Sequence, residues 1–284
     1  MIRAAELTRA LGGRWCGRYG IARCVLHDDE RPSLSIIEGD SGPIVTCFAG
    51  CDWREIRTKL WQRGLLNTSL ARQGTADYQN SLMENRNNQE RARALWQEAI
   101  LLSGTIAAHY LASRKILTSA TCTDGSVLRF HPSCPFDGKR YACLIALMRD
   151  IHTNEPCAIQ RTALTSQGQK IERRTLGPKI NKAIKLSADE DVALGLAVGE
   201  GVETVLSAIQ LGFAPAWALG DADNLQRFPV VSGIECLTIL VDHDANGTGQ
   251  RAGIETSERW TAAGREVLRA VPNQCGYDFN NIIQ

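Results

Sequence analysis

The sequence predicts an α/β chain in three parts: an N-terminal ribbon, a mixed α+β middle region and a C-terminal Rossmann-like parallel βαβ domain. Three observations predict it. From Leu194 onward, short apolar runs alternate with helix-length segments. Near the start, cysteines and a histidine come in close pairs, and a polar Asn/Gln-rich stretch separates that part from the rest. At 284 residues there is room for two or three domains.

Composition narrows the class. A hydrophobic share of 44% and a charged share of 22% are ordinary for a soluble globular protein. No apolar run approaches the ~18 residues of a membrane span, and none resembles a signal-peptide core, so a cytoplasmic protein without membrane contact is expected. In such a reducing compartment the ten cysteines are free, buried or metal-bound rather than paired.

Residues 1–66 read as one compact unit ending in a helix from Trp53 to Gly64, with Asp52 as its N-cap. Residues 67–90 are polar and poor in branched apolar side chains, which predicts a linker. Residues 91–188 form the middle region. A helix resumes at Glu90 and runs through Trp96, Ile100 and Leu101 toward Leu111, with Gly104 as a weak point. Short strands follow at 127–130, 142–148 and 157–164, punctuated by Gly125, Pro132, Pro135 and Gly138, with His131 on a turn. His109 and His152 read as surface residues. Residues 189–284 supply strands at 194–198, 214–219, 236–241 and 266–271, separated by helices at 202–211 and 249–264. Strand–helix alternation implies right-handed crossovers and a parallel sheet.

Two polar constellations carry chemistry. Cys24 and His27 form one close pair, Cys47 and Cys51 another, with strands at 33–37 and 43–46 between them. Four soft donors paired on turns around a hairpin suit one tetrahedral Zn²⁺ in a zinc ribbon. Cys16 is a less suitable substitute because it has no close partner. Cysteines 122, 134, 143, 157, 236 and 275 lie singly and read as fillers. The second constellation is Gly199-Glu200-Gly201 after one apolar strand and Asp242-His243-Asp244 after another. Both fall at carboxyl ends of parallel strands, where open α/β sheets place ligands. Two aspartates on alternate residues point to one side and can share Mg²⁺ or Mn²⁺, Glu200 can reach the same crevice, and His243 points away.

Net charge is only +1, but it is unevenly distributed. Arg161 to Lys185 contains seven Lys/Arg and one Glu, whereas Asp189 to the end contains fourteen Asp/Glu and five Arg. Arg161, Arg173, Arg174, Lys179, Lys182 and Lys185 are candidates to contact nucleic acid or nucleotide phosphates, ahead of an acidic metal-binding domain.

Residues 194–284 resemble a Toprim domain, the catalytic module of DnaG-type primases, topoisomerases and some nucleases. Gly199-Glu200-Gly201 resembles its glutamate motif and Asp242-His243-Asp244-Ala-Asn-Gly247 its D-x-D motif. Gly276-Tyr-Asp278-Phe-Asn280 is similar to its terminal acidic element, with Tyr277 for the basic residue and Asn280 for a second aspartate. Residues 24–53, including Arg31-Pro-Ser-Leu-Ser-Ile36 and Cys47-Phe-Ala-Gly-Cys-Asp52, resemble the zinc-binding domain of such primases. The stretch from Tyr110 through Arg129-Phe-His-Pro132 to Leu176-Gly-Pro178 resembles the segment that precedes Toprim in them. Glu200-Gly-Val-Glu-Thr204 with Ala218-Leu-Gly220 is most similar to primases of phages, plasmids and integrated elements.

The resemblance implies a DNA primase that makes short RNA primers on single-stranded DNA from ribonucleoside triphosphates. Asp242 and Asp244 would hold the catalytic metal, with Glu200 a further ligand or the general base, and Asp278 an auxiliary ligand. Phe48, Trp53 and Arg31 would stack on the template or contact its phosphates. There is no G-x-x-x-x-G-K-[S/T] loop, so a separate replicative helicase is the expected partner. The alternatives are a Toprim nuclease or nicking enzyme using the same acids, and a non-catalytic DNA-binding accessory of a mobile element.

Overall fold

The computed structural model describes residues 2–17, 19–29, 32–39, 42–66, 68–117 and 124–284, with 68–82 described by their backbone alone. Cys122 and Arg31 thus lie outside the described residues. The chain divides into two compact units, Met1–Glu84 and Asn85–Gln284.

In the first unit, helix α1 (Ala4–Ala10) packs on a four-stranded antiparallel sheet. Its strands, in spatial order, are β1 (Arg14–Trp15), β2 (Tyr19–Ala22), β3 (Leu34–Gly39) and β4 (Gly42–Cys47). The expected hairpin is β3–β4, with Leu34 opposite Cys47 and Ile37 opposite Ile44. Period-2 alternation turns Leu34 and Ile36 inward, where they meet Leu7, Ile56 and Leu60 in a closed core. Helix α2 (Trp53–Gln62) begins as expected, with Asp52 Oδ1 accepting from the Arg54 amide at 2.8 Å.

The stretch expected as a linker is helical. Helix α3 runs without a break from Thr68 to Glu98, so the helix expected to begin at Glu90 starts some twenty residues earlier. Ala, Arg, Gln, Glu, Leu and Met favour helix whether or not they are buried, so a polar stretch can be helical without a core face. The continuation toward Leu111 is interrupted instead: α4 is a separate helix, Ile106–Ser113, after Gly104 at φ +71°.

The second unit holds two sheets. The first is antiparallel, in the order β5 (Leu128–Phe136), β6 (Lys139–Asp150), β7 (Pro156–Leu164), β8 (Lys170–Leu176), and the short β9 (Lys182–Ala183) also pairs with β6. The middle of β6 is buried throughout because both faces are covered. Leu144, Ala146 and Met148 meet Leu128, Val205 and Leu206, while Cys143, Ile145 and Leu147 meet Phe136, Ala92 and Leu95. Pro132 and Pro135 do not end β5. Pro132 lies within the register shift between His131 and Cys134, where a residue without an N–H costs the ladder least, and Pro135 follows just after it. His131 is therefore a buried strand residue rather than a turn residue, with Nε2 3.1 Å from Glu98 Oε2.

The second sheet is parallel throughout, in the order β11 (Ala216–Ala218), β10 (Gly195–Gly199), β12 (Cys236–Leu240), β13 (Glu266–Ala270). Helices α5 (Val202–Gln210), α6 (Ala222–Gln226), α7 (Thr248–Ala262) and α8 (Phe279–Ile283) complete the unit. Paired hydrogen bonds between Ile184 and Ala218 (2.7 and 2.9 Å) join the two sheets. Among the described residues, no helix is long and apolar enough to cross a membrane.

Candidate functional site

The first unit gathers Cys24, after β2, His27 in the next loop, Cys47 at the end of β4, and Cys51 just before α2. All four donor atoms lie within 4.8 Å of one another. Gly50 makes the Cys47–Cys51 turn possible: its φ is +87°, and its amide donates to the Cys47 carbonyl at 3.1 Å. His27 presents Nδ1 to the cluster, 3.1 Å from Cys51 Sγ, while Nε2 is gripped by Asp29. Asp29 Oδ2 also accepts from the amides of Cys24 (2.6 Å) and Ser33 (3.2 Å) and from the Ser33 hydroxyl (2.7 Å). Those donors, the Cys24 amide foremost, hold its carboxyl at about 2. Burial pushes the Cys51 thiol up to about 12, reinforced by the nearby sulfurs of Cys47 and Cys24. Three soft sulfurs that cannot all ionise side by side, and one imidazole nitrogen, fit one zinc ion. Cys16 is not in the set.

The second site follows from strand register. Gly199 pairs with Leu240 across β10 and β12, so the chain leaves the sheet at Glu200 on one strand and Val241-Asp242 on the next. Helix α7 approaches at Gly249, where a Cβ would stand 2.9 Å from both Glu200 Oε1 and the Asp242 carbonyl and 3.5 Å from Asp244 Oδ2. Any larger residue would fill the space into which these oxygens converge. Glu200 Oε1 and Asp242 Oδ1 are buried without a hydrogen-bond partner among the described residues. Burial, then the charges of Asp242 and Asp244, push Glu200 up to about 7, against the opposing guanidinium of Arg173. Asp242 also reaches about 7, through burial and then the charges of Asp278 and Asp244, opposed by the Thr204 hydroxyl and Arg173.

Orphaned, crowded carboxylate oxygens are hard donors that want a divalent cation, and Mg²⁺ or Mn²⁺ fits them. Asp278 stands near enough to act on Asp242 but also caps α8, its Oδ1 accepting from the Asn281 amide at 3.0 Å. His243 turns away, with Nδ1 2.8 Å from the Pro272 carbonyl.

The basic candidates divide. Arg173 is half-buried and faces the carboxylates, with Nη1 3.0 Å from where a Gly201 Cβ would be; among the described residues it makes no ion pair. Arg174 pairs with Glu172 (2.7 Å) and Asp137 (3.3 Å), Lys179 with Asp221 (2.7 Å), and Lys182 with Asp150 (2.7 Å). Arg161 and Lys185, expected as phosphate contacts, are buried. Arg161 donates to the Pro135 carbonyl at 2.6 Å over the Phe136 ring; Lys185 pairs with Asp189 at 2.7 Å over the Trp217 ring. Arg161 shares a sheet face with its cross-strand partner Arg174 but lies deeper, and Lys185 follows β9, so the basic residues clustered in the sequence are distributed over separate elements and depths. In the first unit, Phe48 (69% exposed) and Trp53 (47%) are open to solvent.

Asp29 and Gly249 are site residues that motif reading missed, and Glu203 and Thr204 lie in the Glu200–Thr204 stretch, whose motif gives them no role. Glu203 is buried and held at about 2: the penalty of burial is outweighed by Lys170 Nζ (2.9 Å) and the Tyr110 hydroxyl (2.6 Å). Asp29, two residues from a ligand histidine, had a local sequence signal; Gly249 had none.

Residues 195–284 match the Toprim domain family, and residues 86–186 match a domain of unknown function, DUF7146. No curated protein matches the chain. Among solved structures, the primase of Aquifex aeolicus (zinc-binding and RNA polymerase domains) is similar at 16% identity and a TM-score of 0.50, over 100% of this chain and 82% of that one. A DNA primase domain from Pseudomonas aeruginosa is 17% identical over 69% of this chain and 74% of that one, with a TM-score of 0.48. Residues 195–284 thus form a Toprim-type domain, the chain shares the fold of a bacterial primase, and its first unit carries a donor set suited to one zinc ion.

Proposed function

We propose that this protein is a DNA primase, which joins ribonucleotides into short primers on single-stranded DNA. The observation that carries the reading is the pair of buried, unpartnered oxygens of Glu200 and Asp242 at the ends of adjacent parallel strands, with Asp244 beside them. Such a pair is a standing demand for positive charge, and phosphoryl transfer from a triphosphate consumes it.

Asp242 and Asp244 would hold Mg²⁺ or Mn²⁺, with Glu200 as a further ligand or as the base and Asp278 as an auxiliary one. The metal, when bound, neutralises the triphosphate and lowers the pKa of the attacking 3′-hydroxyl. Glu200, buried and raised to about 7, is suited to exchange a proton near neutral pH. Arg173, unpaired and beside Gly201, is placed to receive a phosphate oxygen. Arg174, Lys179 and Lys182 would have to give up their acidic partners to contact a phosphate, so they rank behind Arg173. Phe48 and Trp53, exposed near the zinc ligands, would stack on template bases. On this reading the protein works in the cytoplasm beside a separate helicase.

The test is primer synthesis. Full-length, zinc-loaded protein is incubated with single-stranded DNA, labelled ribonucleoside triphosphates and magnesium, beside an Asp242→Ala/Asp244→Ala variant. Short labelled RNA made only by the parent supports the reading. Cleavage of the DNA, abolished in the variant, would replace it with a Toprim nuclease. Neither activity on varied templates would leave the accessory role.

A further inference from the structure

Away from the carboxylates, α3 packs its last turns, with Ala92 and Leu95, on one face of the antiparallel sheet. Between its residues 89–97 and the paired ends of β6 and β7, a cavity of about 190 Å³ opens to solvent. Leu147 and Ile159 are its apolar floor, and Trp96 is a wall. Arg93 on α3 and Arg149 on β6 stand at its sides.

Each wall has a particular state. Arg129 lies over the Trp96 indole, 4.5 Å from the ring centroid, and is fixed there by the carbonyls of Gly125 (2.8 Å) and Trp96 (3.1 Å). The indole that lines the cavity is thereby held in place. Neither Arg93 nor Arg149 makes an ion pair among the described residues; Arg149 Nη1 donates only to the Asn154 carbonyl, at 3.1 Å. Two guanidinium groups without carboxylates beside a rigid indole are complementary to a planar π system that carries an anion. The volume falls below the ~300 Å³ at which sites begin to enclose a drug-sized ligand, so one ring system enters and its charged part stays at the rim.

We propose that this cavity binds a nucleotide unit, with the base against Trp96 and the phosphate between Arg93 and Arg149. The unit could be a free nucleotide or one residue of a DNA strand, since both present the same base and phosphate. The site is independent of the carboxylates and does not rest on the primase reading.

The experiment uses the zinc-loaded full chain carrying Asp242→Ala/Asp244→Ala, in magnesium-free buffer without chelator, so that metal-dependent binding at the carboxylate crevice is absent while the first unit keeps its zinc. Fluorescently labelled AMP and a labelled dT oligonucleotide are titrated in turn and followed by anisotropy. Trp96→Leu and, separately, Arg93→Gln/Arg149→Gln are compared with that parent, with circular dichroism to confirm folding. Each is expected to weaken binding by roughly tenfold, as the loss of one stacked base or two phosphate contacts does. A loss seen with AMP identifies a free nucleotide; a loss seen only with the oligonucleotide identifies a strand. If neither probe binds, or if Arg93 and Arg149 can be replaced in a folded protein with affinity unchanged for both probes, the proposal is overturned.

Discussion

Asn280 donates to the hydroxyl of Ser207 at 2.9 Å, with both side chains fully buried. That hydroxyl already donates to the Glu203 carbonyl at 2.8 Å, so it can only accept from Asn280, as does the Arg114 carbonyl at 2.8 Å. The position thus needs an N–H₂ group facing two acceptors. The departure from a second aspartate in the terminal element is a structural requirement of this core rather than decay of the site.

Asn280→Asp should therefore destabilise the second unit by on the order of 2–3 kcal/mol, because an ionised carboxylate cannot donate to either acceptor. Urea denaturation at neutral pH measures it. A variant as stable as the parent would show that the buried hydrogen bonds are not what fixes the residue.

Asp29→Ala should weaken zinc affinity about 10–100-fold without changing the ligand count, since the carboxylate orients the His27 ring through its far nitrogen. Competition with a chromophoric chelator reports it. Asp28→Ala, next door in sequence, is the comparison and should change affinity little.

Chelation of zinc, or Cys47→Ser, should unfold the first unit selectively. Its core is small, and Cys24 and Cys47 are themselves part of it. The expected record is loss of the low-temperature portion of a two-stage melt, while hydrogen exchange in β6 and β12 is unchanged.

Zinc-loaded protein without magnesium should lose stability in its second unit as pH rises. Glu200 and Asp242 have folded-state values of about 7, above the ordinary carboxylate range. The folded state therefore holds extra protons, and its advantage is full below about pH 4 and gone once pH passes through 7. Asp242→Asn should flatten that slope, with a gain on the order of 3 kcal/mol at pH 8. Thermal melts of the second unit from pH 5 to 8, in magnesium-free buffer without chelator, test the sign; a rise in stability across that range would contradict it.

Much of this was legible in the sequence because the signals are local. Paired soft donors on turns announced the zinc set, and strand–helix alternation from Leu194 announced a parallel sheet, which fixes where Glu200 and Asp242 emerge. What was not legible depends on distant contacts. The helical stretch at 68–89 was hidden because polar composition reports exposure, not backbone conformation. Arg161 and Lys185 look like the other basic residues around them until the fold buries them against the Phe136 and Trp217 rings. Glu203 stands in a motif stretch that says nothing of its partners. Only the fold brings Tyr110, 93 residues away, and Lys170 to it. Gly249 carries no motif at all; its role appears only when α7 docks against the carboxylates.

On the proposed reading Asp242, with Asp244, holds one divalent cation, and the ligand role of Glu200 requires that its buried oxygen share that ion. Manganese binding followed by electron paramagnetic resonance tests it directly, on the parent, Glu200→Gln and Asp242→Asn at pH 7.5. One tight ion in the parent, weakened at least tenfold in both variants, is the predicted result. An ion bound equally well by all three folded proteins would place the metal elsewhere and contradict the account.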